Sequence, residues 1–358
     1  GVPCLLEMLD QLYPLARRAL FALDAERAHH WSLSGLRFAE RLDILDRLAG
    51  QPPASKPVQC MGLTFPNALG LAAGLDKEGN CIDAFGRLGF GAVEIGTITP
   101  RPQPGNPKPR LFRLKEHEGI INRMGFNNPG IDQGVRNVRS AKSYQGIVGF
   151  NIGKNKDTPN ENATEDYLIG LRAAWPVADY IAVNLSSPNP PGLRDLQAAD
   201  STAALLERLK QEQESLRAST GREVPIALKV APDLEDAHIA ALSRVFLDGG
   251  LDGLIATNTT IERQAVASHP HGAEAGGLSG APLTSRSTEV IAAFHAELGS
   301  RIPIIGVGGI MSGRDALAKI AAGATLIQIY TGFIYHGPGL IVDILDSLNN
   351  SLVASSTE

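Results

Sequence analysis

The chain has 358 residues, of which 43% are hydrophobic, 20% charged and 5% aromatic, and 38 are glycine; this is the composition of a folded globular chain, not of a disordered, collagenous or coiled-coil one. The formal net charge of -5, with no block of basic residues, offers no field to hold nucleic acid and excludes it as a partner. Three cysteines, Cys4, Cys60 and Cys81, lie far apart without a CxxC pair, so neither a disulfide framework nor a metal site is expected, and a reducing compartment fits.

In chain order, Tyr13 and Pro14 read as the start of a first helix with proline in its first turn, and Asp24 as the N-cap of a second helix running toward Ile44. Leu12, Leu15, Ala16, Ala19, Leu20 and Leu23 give the first helix an apolar stripe, and Trp31, Leu33, Leu36, Phe38 and Ala39 make the second unusually apolar. Such faces either pack on the rest of the protein or form a membrane-surface or apolar-ligand site. Residues 1–50 hold six Lys/Arg and seven Asp/Glu, so membrane contact there rests on apolar burial rather than on charge. The first residues lack a secretion-signal pattern, and a start at Gly1 leaves open a leader already removed. The longest uncharged stretch, 320–342, is broken by Gly323, Gln328, Gly332 and Pro338 and makes a poor membrane span.

From residue 68 onward, short apolar runs at 69–72, 92–98, 147–152, 180–185, 226–230, 253–256, 304–307 and 326–329 alternate with helix-length segments. Eight runs predict an α/β fold of the (β/α)8 TIM-barrel type with an N-terminal two-helix extension; an open doubly wound sheet is the rival, since periodicity reports strands but not closure. At the C-terminal end of each run stands a small or polar group: Ala73 with Gly74, Thr97, Asn151, Asn184, Lys229, Thr257 with Asn258, Gly308 with Gly309, and Tyr330 with Thr331. In a barrel these ends converge on one face and build the active site. Three longer insertions interrupt the repeat. Residues 99–146 hold a proline-rich stretch, an expected hairpin over 110–123 and then a helix; residues 186–200 are rich in Ser, Asn and Pro; residues 258–284 carry Gly276, Gly277 and Gly280, which would let backbone approach a ligand closely.

Gly306-Val307-Gly308-Gly309-Ile310, ahead of a helix opened by Met311-Ser312-Gly313, and Tyr330-Thr331-Gly332 after the eighth strand together form a seat for a phosphate. Lys229 ends an apolar strand, where an unpaired ammonium is costly; it requires either a structural ion pair or a ligand on which negative charge develops. Lys77 stands just after the first strand, in reach of a second anion such as a substrate carboxylate. Asn184-Leu185-Ser186-Ser187-Pro188-Asn189-Pro190-Pro191-Gly192 contains no GxSxG elbow and no nearby histidine, which argues against a hydrolase triad; either ordinary loop chemistry explains its Ser and Pro, or a serine flanked by Asn on both sides serves as a proton acceptor for a strongly acidified substrate proton.

These motifs, with Ala73-Gly74-Leu75-Asp76-Lys77, Glu94-Ile95-Gly96-Thr97, Thr99-Pro100-Arg101-Pro102, Asn122-Arg123-Met124-Gly125-Phe126-Asn127-Asn128, Asn151-Ile152-Gly153-Lys154-Asn155, Ala256-Thr257-Asn258-Thr259-Thr260 and Gly276-Gly277-Leu278-Ser279-Gly280, resemble the class 2, quinone-dependent dihydroorotate dehydrogenases from Tyr13 to about Leu345. The resemblance includes the helix pair, which class 1 enzymes lack, and a serine where class 1 has cysteine. It implies an oxidoreductase of pyrimidine biosynthesis that converts dihydroorotate to orotate, with FMN in the barrel mouth and ubiquinone or menaquinone as final acceptor. The matching flavin positions are Ala73, Gly74, Thr97, Asn151, Asn184, Lys229, Thr257, Gly280, Gly309, Tyr330 and Thr331. The matching substrate positions are Lys77, Asn122, Arg123, Met124, Gly125, Phe126, Asn184, Asn189, Asn258 and Thr259, with Ser187 as catalytic base. Residues 1–50 would be the quinone- and membrane-binding extension of a peripheral protein on the cytoplasmic face of a bacterial inner membrane, and 51–358 the catalytic barrel. Another FMN-dependent barrel oxidoreductase, or an aldolase using Lys229 as its Schiff-base lysine, is the alternative. Pro190 replaces the family's usual threonine, so the proton leaving Ser187 has to pass through water, Ser186 or Thr259.

Overall fold

The computed structural model describes residues 5–42, 44, 55–190 and 192–354; the expected boundary at residue 50, and Cys4, lie outside this set. Helix α1 spans Leu5–Ala22 and α2 spans Ala25–Arg41. The first helix thus begins eight residues before Tyr13, with Pro14 inside it, not in its first turn. A proline forfeits its own i→i−4 bond and crowds the preceding turn; here that local cost is outweighed by the Leu, Glu, Met and Gln of residues 5–12, all good helix formers. The Asp24 carboxylate caps α2 by accepting the Arg27 N–H at 3.0 Å, and the helix closes at Arg41, short of Ile44.

A short antiparallel hairpin, β1 (Val58–Cys60) and β2 (Leu63–Phe65), then leads into the barrel strands β3 (Leu69–Leu71), β4 (Ala92–Ile98), β7 (Ile147–Ile152), β8 (Tyr180–Asn184), β9 (Ile226–Val230), β10 (Gly253–Ala256), β12 (Ile304–Val307) and β13 (Ala324–Ile329). All eight are parallel, neighbour one another in chain order, and close where β13 pairs with β3. Closure removes the open doubly wound alternative. Helices α3 (Ile82–Arg87), α4 (Ile131–Ser140), α5 (Ala163–Ala174), α6 (Ala199–Thr220), α7 (Asp236–Asp248), α8 (Thr284–Leu298), α9 (Gly313–Ala321), α10 (Thr331–His336) and α11 (Gly339–Ala354) follow the strands around the outside. Over the mouth lies a separate antiparallel sheet: the expected hairpin, β5 (Leu111–Leu114) with β6 (Gly119–Asn122), extended by β11 (Gly277–Gly280). The glycines of 276–280 therefore sit largely in a strand rather than in a loop.

Strand alternation sorts side chains between two cores. Outward residues such as Ile181, Val183, Leu228, Leu254 and Ile304 meet the helices, whereas Tyr180, Ala182, Ala227, Ile255, Ile305 and Leu326 fill the barrel interior, plugged from below by Cys60 and Phe65. Among the described residues no helix is long and apolar enough to cross a membrane.

Candidate active site

Alternation continues upward from the apolar interior into a polar layer. On β8 the inward set ends at Asn184 and on β9 at Lys229, which are register partners. One level lower, the fully buried Glu94 carboxylate accepts from Asn151 Nδ2, Tyr180 OH and Gln328 Nε2, each at 2.7 Å. Room for the Tyr180 ring exists because its β7 neighbour is Gly149, where a Cβ would lie 2.2 Å from the ring. Three donors satisfy Glu94, as a buried carboxylate demands. Burial pulls the Lys229 ammonium below the ordinary lysine range, partly offset by Glu94, yet Lys229 makes no hydrogen bond or ion pair of its own among the described residues. The structural ion pair considered for it is absent there.

Above this layer opens a concave pocket at the barrel mouth, walled by residues from the strand ends and the loops that follow them. Ala73, Gly74, Thr97, Asn184, Lys229, Thr257, Gly280, Gly309, Tyr330 and Thr331 line it, as do Lys77, Asn122, Met124, Gly125, Phe126, Ser187, Asn189, Asn258 and Thr259. Asn151 does not: fully buried, it accepts the Thr97 hydroxyl at 2.6 Å, and Asn184 Nδ2 donates to the same Thr97 oxygen at 2.9 Å. Asn151 therefore stands directly behind the lining and orients Thr97 within it. Arg123 also turns away, because the step after Asn122 points to the opposite face; it pairs with Glu274 at 2.7 Å and covers the Phe112 ring at 4.6 Å.

Ser187 is 5% exposed, and its Oγ accepts the Asn189 N–H at 3.4 Å. Its loop is clamped by Arg194, which donates to Ser186 O at 2.9 Å and Thr259 O at 2.7 Å and pairs with Asp233 at 2.7 Å. Asn258 Nδ2 reaches Ser186 Oγ at 3.0 Å. Asn189 Nδ2 donates to Asn122 Oδ1 at 3.0 Å, while Asn189 Oδ1 is buried without a partner. Lys77 Nζ donates to Asn127 Oδ1 at 2.8 Å, and burial, aided by the Arg110 charge, lowers its pKa to about 7. On the far wall Gly308 and Gly309 take φ of 117° and 66°. A Cβ on Gly309 would lie 2.4 Å from the Thr284 backbone, so this turn accepts only glycine.

Glu94, Gln328, Arg194 and Asp233 escaped the sequence reading. For Glu94 the signal was present, a lone charge inside an apolar strand run just as at Lys229; for the Arg194 clamp there was none, since a basic residue in a polar loop reads as solvated.

A barrel mouth that joins a glycine turn to an unneutralised lysine and an amide-lined recess defines a cofactor-dependent barrel enzyme of phosphate-bearing ligands. Comparison makes this specific. The family model described as Dihydroorotate dehydrogenase matches residues 56–352, and the chain belongs to that family. A relative from Akkermansia muciniphila named dihydroorotate dehydrogenase (quinone) is 63% identical over 95% of this chain and 98% of its own length; one of the same name from Marinobacter nauticus is 55% identical over 95% and 100%. The solved structure of DHODH in complex with ferulenol from Eimeria tenella superposes with a TM-score of 0.85 at 37% identity, covering 94% of this chain and 95% of that one.

Proposed function

We propose that this chain oxidises dihydroorotate to orotate in pyrimidine biosynthesis, with FMN held in the barrel mouth and a membrane quinone, ubiquinone or menaquinone, as final electron acceptor. The observation that carries this reading is Lys229, a buried lysine without a hydrogen-bond or ion-pair partner among the described residues, on the floor of a glycine-walled cavity. The residues fit FMN: the N–H groups of Gly308 and Gly309 have no acceptor among the described residues, leaving donors for a phosphate, and Lys229 stands ready for charge on the ring system. Bound FMN supplies the two-electron acceptor that takes hydride from the substrate and passes the electrons to quinone.

The protein's own contribution is binding and proton transfer. Asn122, Asn184, Asn189 and Asn258 present amides to the pyrimidine edge, with the unpartnered Asn189 Oδ1 free to accept from a ring N–H, and Lys77 meets the carboxylate. Ser187 Oγ takes the substrate proton. No carboxylate or imidazole hydrogen-bonds to this hydroxyl among the described residues, so the driving force comes from the acidity of the substrate proton. Anaerobic mixing with dihydroorotate should bleach the flavin absorbance, and an unbleached flavin would sink the reading. Ser187→Ala should retain flavin yet slow its reduction by about 10²–10⁴-fold; near-normal reduction would remove Ser187 from the role.

The extension is read as the quinone- and membrane-binding part, residues 1–50, of a peripheral protein on the cytoplasmic face of a bacterial inner membrane. Supporting this, five of the seven large hydrophobic side chains exposed among the described residues, Leu12, Leu15, Trp31, Phe38 and Leu42, belong to or adjoin α1 and α2. A further pocket between α2 and the barrel, with Leu33 and Met124 among the otherwise largely polar lining of His29, Arg37, Asp76 and Glu78, shares Lys77 and Met124 with the main one, which supports an electron acceptor approaching the flavin from the α2 side.

A further inference from the structure

Behind the glycine turn lies a second buried cation that the proposed chemistry leaves unused. Lys319 on α9 is 0% exposed. Its three ammonium protons go to Thr284 O at 2.7 Å, to Thr288 Oγ1 at 2.6 Å and to Ser287 Oγ, all in the first turns of α8. Among the described residues no carboxylate pairs with it; Asp315, one turn earlier on α9, is engaged by Met311 N and Ser312 Oγ. Burial lowers its pKa to about 8, with Asp315 working against the shift, so the charge persists at neutral pH.

An ammonium can only donate, so Ser287 must accept from it, and the single Ser287 proton is committed to Gly308 O at 2.7 Å. Thr284 Oγ1 likewise donates to Gly309 O at 2.6 Å. Both carbonyls are thereby drawn toward α8. In a trans peptide the N–H of the next residue points the other way, which aims the Gly309 and Ile310 N–H groups away from α8.

We propose that Lys319 is a positioning residue for the phosphate monoester of the cofactor: it fixes the hydroxyl that orients the Gly308–Gly309 peptide and places a positive charge behind the turn. This rests on the reading that FMN is bound with its phosphate at that turn. The test is titration of the flavin-stripped full-length chain with FMN and with riboflavin, which lacks the phosphate, followed by flavin fluorescence quenching. Lys319→Met should raise the Kd for FMN by about tenfold or more, the effect of losing a hydrogen bond to a charged group, while the Kd for riboflavin moves by less than about twofold. Ser287→Ala keeps the lysine, severs its link to Gly308 and should lose FMN selectively as well, which provides the reading if the lysine variant does not fold. Equal losses for both flavins, or an unchanged FMN Kd, would overturn the proposal. Equal affinity of the unaltered chain for FMN and riboflavin would overturn the phosphate seat itself, and the inference with it.

Discussion

Besides the packing of Leu33, Leu36 and Ala39 on the core, a buried ion pair attaches α2 to the barrel, and Glu26→Ala tests its share. The Glu26 side chain is 5% exposed and Arg110 8%; Arg110 Nη2 and Nε donate to the two carboxylate oxygens at 2.6 and 3.2 Å. Lys108 approaches at 3.3 Å but is 63% exposed, so it adds little. Burial alone would raise the Glu26 pKa, but the Arg110 hydrogen bonds and charge outweigh it and hold the carboxyl below its ordinary value. Removing one partner of a buried pair costs about 3–5 kcal/mol. Arg110 keeps two acceptors, Pro104 O at 2.7 Å and Asn106 O at 2.8 Å, which sets the loss near the lower end, about 3 kcal/mol or roughly 150-fold in the docking equilibrium. Hydrogen exchange of amides 25–41 should accelerate on that scale, and quinone turnover should fall while dihydroorotate still reduces the flavin. Because the folded pKa is depressed, the stabilisation is present above the unfolded carboxyl value and fades as pH drops through the folded one, so the unaltered chain should show the same loosening in acid. Unchanged α2 exchange in the variant, or equal loss of both half-reactions, would refute the reasoning.

Three further outcomes are expected. With Lys77 lowered to about 7, orotate affinity should be strong below that pH and weaken above it, with a higher midpoint in the complex because a bound carboxylate favours the charged form; Lys77→Met should flatten the profile measured by titration, and a persistent slope would point elsewhere. Gly309→Ala forces a Cβ to within 2.4 Å of the Thr284 backbone at φ 66°, so the purified variant should carry little FMN by its flavin-to-protein absorbance ratio despite a folded barrel; full occupancy would contradict the tight turn. Neither Ser186 nor Thr259 hydrogen-bonds to Ser187 among the described residues; their partners are Asn184 and Asn258. Pro190→Thr should therefore speed flavin reduction and shift its pH dependence, and an unchanged profile would mean that water already suffices.

The eight strands were legible in the chain because parallel strands buried on both faces leave continuous apolar runs, and the structure moves their ends by no more than two residues. The residues that meet at the mouth were legible for a related reason: a barrel delivers every strand end to one face, so Asn184, Lys229, Thr257 and Tyr330 converge without any knowledge of pairing. The first helix was misjudged because a proline marks a helix start only on average, and the helix formers ahead of it override the local preference.

What local pattern determined, then, was the barrel and the content of its mouth. What only tertiary structure decided were relations between residues far apart in the chain: Glu94 with Tyr180 and Gln328, Arg194 bridging two loops, Glu26 with Arg110, Lys319 behind Gly308. The physical reason is that periodicity records which side of an element faces the interior, whereas a hydrogen bond needs a partner at a particular distance, and that distance exists only once the chain has closed on itself.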